Sequence, residues 1–214
     1  MKKIAVSVFI VFTVIFICMT YVVNFASDKI YNLLYPYDEM TFVDTCPNKI
    51  SLQNGDYFAL GNYNHEKLVW KCVLENKAQC DRIIEFREYD SFDSDWESSD
   101  LRKWLNSNDG FIGKAQMNED YISGEIYILS VNELKRIGNI TKQPTLSAIR
   151  NSNSKYLFLR KNYWYWTSSS ISTNSQSVAT VTQNGVFYKT LSTDYLTGVC
   201  PAFTLKSNTV HILG

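Results

Sequence analysis

"VATVTQNGVFYKTL", Val178 to Leu191, decides how this chain folds. Two runs rich in β-branched and aromatic residues flank Asn184-Gly185. That dipeptide accepts the positive φ angles of a tight turn at little steric cost, which makes it the strongest short-range hairpin signal. Beyond it, "TGVCPAFTL" (Thr197–Leu205) reads as a further strand. Pro201 has no N–H to give a ladder, so an edge or bulge position is expected for it.

The same pattern recurs toward the amino end. "GDYFALGNYNHEKLVWKCVLE" (Gly55–Glu75) gives two β-rich runs broken by a polar turn at Asn62–Lys67, with His65 exposed in it. "CDRIIEFREYDSF" (Cys80–Phe92) is a third run. Between these strands and the last third lie helical signals. In "WESSDLRKWLNSNDGF", Ser98 or Ser99 can cap a short helix whose Leu101, Trp104 and Leu105 share a face. A second helical piece is expected over Ile112–Tyr121. After the strand "EIYILS", Ser130 and Glu133 form a capping box for "VNELKRI", which Gly138 stops. Residues 139–155 are polar and read as loop. Strands, then short helices, then strands predict an α+β fold built on an antiparallel sheet.

Composition supports one folded domain with a real core: 45% of residues are hydrophobic and 14% aromatic. Lys plus Arg equals Asp plus Glu, with no basic stripe, so nucleic acid is a poor partner. The amino end differs in kind. Lys2 and Lys3 precede an uncharged apolar run, Ile4–Val23, about 20 residues long and long enough as a helix to span a bilayer. Signal-peptide and lipoprotein cleavage patterns fit poorly around Ala26 and Cys18. The expectation is therefore a cytoplasmic tip at 1–3, an uncleaved single-pass anchor at 4–23, a stalk at 24–45 and an extracytoplasmic domain at 46–214, at the cell membrane.

That topology puts Cys46, Cys72, Cys80 and Cys200 where disulfides persist. A three-residue turn at Glu75–Lys77 would set Cys72 opposite Cys80, close enough to bridge. Cys46–Cys200 follows by elimination. No metal and no cofactor are expected: Cys-x-x-Cys is absent, and His65 and His211 are the only histidines. The same scarcity argues against histidine-based catalysis.

"NYWYWTSSSISTNSQ" (Asn162–Gln176) crowds aromatic residues ahead of a polar run. Alternation puts Trp164 and Trp166 on one strand face, as core or as a ligand platform. The core assignment is preferred, with Trp70 and Trp104 as further core aromatics. Ser168, Ser170, Ser172, Asn174 and Gln176 are then the candidate ligand-binding residues, for an unknown protein or glycan, because hydroxyls and amides both donate and accept.

Four segments in order carry a resemblance. They are Gly55-Asp56-Tyr57-Phe58-Ala59-Leu60-Gly61-Asn62-Tyr63; Trp96 with Leu101-Arg102-Lys103-Trp104-Leu105-Asn106; Tyr165-Trp166-Thr167-Ser168-Ser169; and Gly198-Val199-Cys200-Pro201-Ala202. Over roughly residues 50–205 the chain resembles a family of bacterial surface domains, domain-of-unknown-function family 6273. The resemblance implies a C-type-lectin-like fold, akin to formylglycine-generating enzymes and phage tropism determinants. Ser168 and Cys200 stand where that family has arginines, and the calcium motifs of true C-type lectins are absent. The leading expectation is a membrane-anchored, non-catalytic recognition domain. A structural or assembly subunit of an envelope complex is the alternative, and an oxidase-like enzyme using Cys200 the third.

Overall fold

Asn184-Gly185 turns a hairpin. Gly185 takes φ 72°, its N–H donates to the Thr182 carbonyl at 2.9 Å, and the Thr182 N–H donates to the Val186 carbonyl at 2.9 Å. The computed structural model describes residues 50–138, 140–152, 163–171, 176–206 and 209–210. In chain order the strands are β1 (Ile50–Ser51), β2 (Tyr57–Tyr63), β3 (Glu66–Leu74), β4 (Lys77–Cys80), β5 (Arg82–Ile83), β6 (Glu85–Phe86) and β7 (Ile122–Tyr127). They continue with β8 (Gln143–Pro144), β9 (Tyr165–Ser170), β10 (Ser177–Val181), β11 (Phe187–Leu191), β12 (Gly198–Val199), β13 (Ala202–Leu205) and β14 (Thr209–Val210). The helices are α1 (Asp100–Leu105), α2 (Phe111–Lys114), α3 (Val131–Ile137) and α4 (Leu146–Asn151), with a 3-10 turn at Glu119–Tyr121.

Two five-stranded sheets dominate, in the orders β2-β3-β4-β13-β7 and β11-β10-β9-β12-β6. The first is antiparallel throughout. The second contains one parallel pair, β9 with β12. Two chain segments pass between the sheets side by side: β4 to β6, and β12 to β13. They stay hydrogen-bonded at the crossing, where the Cys80 N–H donates to the Pro201 carbonyl at 2.8 Å and the Ile84 N–H to the Val199 carbonyl at 2.9 Å. Pro201 sits at the crossing itself, where a missing N–H breaks no ladder.

This architecture corrects the expected fold class. The fold is β-rich, with helices of four to seven residues, and not the expected α+β, C-type-lectin-like fold. The helix signals were real but short: one or two turns cannot form a layer, so the aromatic strands supply the core. Among the described residues no helix is long and apolar enough to cross a membrane. The apolar run at 4–23, on which the anchor rested, lies outside the described residues.

Local signals hold where a side chain caps a backbone. Ser99 accepts the Arg102 N–H at the start of α1. Ser130 and Glu133 complete the capping box of α3, and Gly138 follows its last turn at φ 90°. The expected helix over Ile112–Tyr121 is cut to α2. The polar stretch read as loop contains α4, where the Thr145 hydroxyl accepts the Ala148 N–H at 3.1 Å.

The β3–β4 hairpin overturns the Cys72–Cys80 bridge. Asn76 adopts φ 56°, so two residues close the turn instead of three. Register then sets Cys72 against Ala78 and Cys80 against Trp70. Cys72, Cys80 and Cys200 are all free and buried, so Cys200 does not serve the Cys46–Cys200 bridge either; Cys46 lies outside the described residues. Burial holds the Cys72 thiol up at about 11 and the Cys80 thiol at about 12, which keeps both protonated and unreactive at neutral pH. Alkylation of the native protein should therefore spare all three, and alkylation after unfolding without reductant should label all three. Labelling that requires a reductant would restore the bridges.

The core holds Trp70 and Trp166, at 0% and 1% exposure. Trp70 packs edge-on against Phe203 at 4.7 Å, and its indole N–H donates to the Leu60 carbonyl at 2.9 Å. Trp166 packs on Tyr89 at 5.5 Å. Two other expected core aromatics, Trp104 and Trp164, are only half-buried. Trp164 precedes β9 and does not share in its alternation. It meets Tyr188 edge-to-face at 5.2 Å and donates to Gln183 Oε1 at 2.8 Å.

Candidate functional site

Strand β2 ends on Tyr63, which is 4% exposed. Asn64 and His65 follow with φ of 49° and 68°, the left-handed pair that a two-residue hairpin needs. The turn returns the chain into β3 and leaves the Tyr63 phenol reaching toward β6. There, alternation buries Phe86 and leaves Glu85 half-exposed. The Tyr63 hydroxyl donates to Glu85 Oε2. Burial first, and then the Glu85 carboxylate, hold that phenol far above its ordinary range. It donates a proton to a hydrogen bond and does not act as a base at neutral pH.

Arg87 follows β6 with its backbone pinned on both sides. Its N–H donates to the Thr197 carbonyl at 3.2 Å, and its carbonyl accepts the Trp166 indole N–H at 2.8 Å. The guanidinium lies over the Trp104 ring with its carbon 4.1 Å from the centroid. Helix α1 explains that placement: Leu101 and Leu105 are fully buried, which leaves Trp104 at the rim of the buried face. Trp104 and Tyr63 both pack against Phe111, at 6.1 and 5.3 Å. Glu85 Oε1 stands 3.7 Å from one guanidinium nitrogen. Burial lowers the Arg87 pKa and Glu85 opposes the shift, so the group stays cationic.

Tyr63, Glu85, Phe86 and Arg87 line one side of a cleft of about 530 Å³. Lys114, at the end of α2, reaches it because the Asn62 N–H ties β2 to the Ala115 carbonyl at 2.8 Å. Ala148, Asn151 and Ser152 come from α4 and its C-cap, and Glu88, Asn64 and Tyr195 complete the wall. Tyr195 is 53% exposed. The lining offers phenol, carboxamide and hydroxyl groups and two charges of each sign. It includes no histidine and no cysteine.

Three of the residues expected to bind a ligand, Ser168, Ser170 and Gln176, lie elsewhere. Ser168 is half-buried on β9, and its N–H donates to the Leu129 carbonyl at 3.2 Å. Ser170 is exposed at the end of that strand. Gln176 is exposed and its amide donates to the Phe92 carbonyl at 3.1 Å. Ser172 and Asn174 lie outside the described residues. None of the three described residues lines the cleft. Sequence did hold a signal for part of it: Glu85 and Arg87 are opposite charges two apart in the run "IIEFRE", and so fall on one strand face. For Asn151 and Tyr195 no such signal exists.

Residues 111–207 match a family described as "Domain of unknown function (DUF6273)". The matched span is somewhat under half of the chain, narrower than the roughly 50–205 over which the motifs resemble that family. It includes Lys114, Asn151 and Tyr195 of the cleft and leaves Tyr63, Glu85 and Arg87 outside. No curated protein matches the chain, and no solved structure does.

Proposed function

We propose that this chain is a non-catalytic recognition domain, with its ligand seated in the cleft between Tyr63 and Tyr195. The supporting observation is the cleft's lining: a polar surface around about 530 Å³, within the roughly 300–1,000 Å³ of ligand pockets. The Tyr63 phenol is held protonated by burial. Both carboxylates face cations or solvent, and no side chain there is set up as a nucleophile beside a base. The oxidase-like alternative finds little support at Cys200. That thiol is 0% exposed, donates to the Cys80 carbonyl at 3.0 Å, and is held protonated by burial first. The ligand is a glycan or a protein segment, both rich in the hydroxyl and amide groups the lining can match. We assign the domain to the extracytoplasmic side of a cell membrane, on the support of Lys2 and Lys3 ahead of the uncharged run at 4–23.

A glycan and peptide array probed with the full chain tests this reading. Tyr195→Ala and Asn151→Ala alter exposed side chains, so they should keep the melting temperature and weaken every hit. Binding that survives both substitutions but is lost on replacing Ser170 and Gln176 with Ala would move the site to the loop after β9.

A further inference from the structure

We infer that the cleft takes a ligand bearing one carboxylate group, seated on the Arg87 guanidinium with Lys114 as a second, outer cation. The inference rests on the recognition reading of the cleft and names its ligand class. Two arginines show why. The Arg102 side chain is 28% exposed, and it is saturated: its guanidinium donates to the Glu97 carbonyl and carboxylate and meets the Glu125 carboxylate at 2.9 and 3.0 Å. Arg87 is covered to the same degree, at 30%. Yet among the described residues its guanidinium makes no hydrogen bond, only the 3.7 Å approach to Glu85.

A half-buried guanidinium has already lost much of its water. Its donors are left open on the cleft wall, and a carboxylate can take two of them at once with parallel charge-assisted bonds. The geometry is fixed in advance. Trp104 holds one face of the plane at 4.1 Å, and Glu85 flanks one nitrogen. Glu85 itself is engaged on its other oxygen by Tyr63, so it orients the fork without saturating it. Pre-setting the fork removes the ordering cost that a free side chain would bring to binding.

Charge selects the ligand further. Lys114 is exposed and makes no ion pair among the described residues, whereas Glu85 and Glu88 line the same cleft. Two cations against two carboxylates leave no net positive field, so a phosphate cluster or other polyanion meets as much repulsion as attraction. A single carboxylate placed at Arg87 meets the cation first. Asn151, Ser152 and Tyr195 then face the neutral remainder of the ligand. Sugar acids and peptide carboxyl termini share this chemistry.

Matched pairs separate the two sources. The full chain is titrated by calorimetry with methyl galacturonoside against methyl galactoside, and with acetyl-dialanine against its amide. In one pair the acid should bind at least tenfold more tightly than its neutral partner, and that pair identifies the source. Arg87→Gln should erase the preference and Lys114→Gln should reduce it. Arg87→Lys, which keeps the charge and loses the fork, should retain only part of it, with the melting temperature confirming that each variant folds. Acid and neutral members binding equally, both weakened by Tyr195→Ala, would overturn the carboxylate and leave the cleft reading standing. Acid binding that ignores both Arg87→Gln and Tyr195→Ala would overturn both. If no probe binds at millimolar concentration, Arg87 is not a carboxylate anchor, and the inference fails while the array result still judges the cleft.

Discussion

Trp166→Ala lowers the unfolding free energy by about 3–5 kcal/mol, the range for large aromatic truncations in a core. The residue is 1% exposed, so its truncation opens a void that the stacked Tyr89 ring, itself at 0% exposure, cannot fill. A second loss adds to the first. The indole N–H holds the Arg87 carbonyl at 2.8 Å, and without it that carbonyl has no indole partner beside the new cavity. Urea unfolding should show the drop in midpoint with little change in slope. Ligand hits from the array should weaken as well, because Arg87 loses one of its two backbone ties. Trp164→Ala is the control. Its ring is half-exposed, so removing the Tyr188 contact and the Gln183 hydrogen bond should cost about 1–2 kcal/mol. Equal costs at the two positions would show that Trp166 is not a core residue.

Gly110→Ala should be the most damaging methyl that can be added between α1 and α2. A Cβ there would stand 1.9 Å from the Trp104 carbonyl oxygen and 2.8 Å from its carbon. Those atoms are backbone, so no side-chain rotation relieves the contact; the end of α1 has to move. Overpacking of this kind costs about 3 kcal/mol. The displacement also reaches Trp104, on which the Arg87 guanidinium lies, so binding should fall even where the variant remains folded. Gly138→Ala offers the comparison. Its φ is 90° but nothing lies within 4 Å of an added Cβ, which leaves only the backbone penalty of about 1–2 kcal/mol. If thermal melts place Gly110→Ala no lower than Gly138→Ala, the close approach to Trp104 is relieved by some motion of the chain, and the coupling between α1 and the cleft is lost with it.

Both substitutions act through contacts that differ in how far they were legible. The hairpin at Asn184-Gly185, the Ser130–Glu133 capping box and the Ser99 cap are agreements between residues at most a few positions apart. Their physics is local: a φ angle only glycine accepts easily, or a hydroxyl within reach of a nearby N–H. The same locality misled wherever a neighbour far along the chain decided the outcome. Cys72 and Cys80 fit a bridge under a three-residue turn. Asn76 took the left-handed conformation instead, and its carbonyl accepts the N–H of Leu205 at 2.7 Å. A strand more than a hundred positions away completes that turn. The helix signals in the middle of the chain were sound as caps and unsound as a fold class, because α1 to α4 stop after one or two turns. The β-rich fold follows from how β4, β6, β12 and β13 pass between two sheets.

The candidate site divides along the same line. By itself the sequence determined that the chain has aromatic strands, a hairpin at Asn184-Gly185 and short capped helices. Those are matters of composition and period, and they need no partner. Only the tertiary structure decided that β2 delivers a phenol to Glu85, that α1 slides an indole under Arg87, and that α4 closes the cleft with Asn151. Each of those contacts joins residues more than fifteen positions apart, and closing such loops costs an entropy that only the packed core repays. For that reason the polar run after β9 drew attention in the sequence, while the half-buried Arg87 guanidinium, covered like Arg102 but without a hydrogen bond among the described residues, came into view only once the sheets had assembled around it.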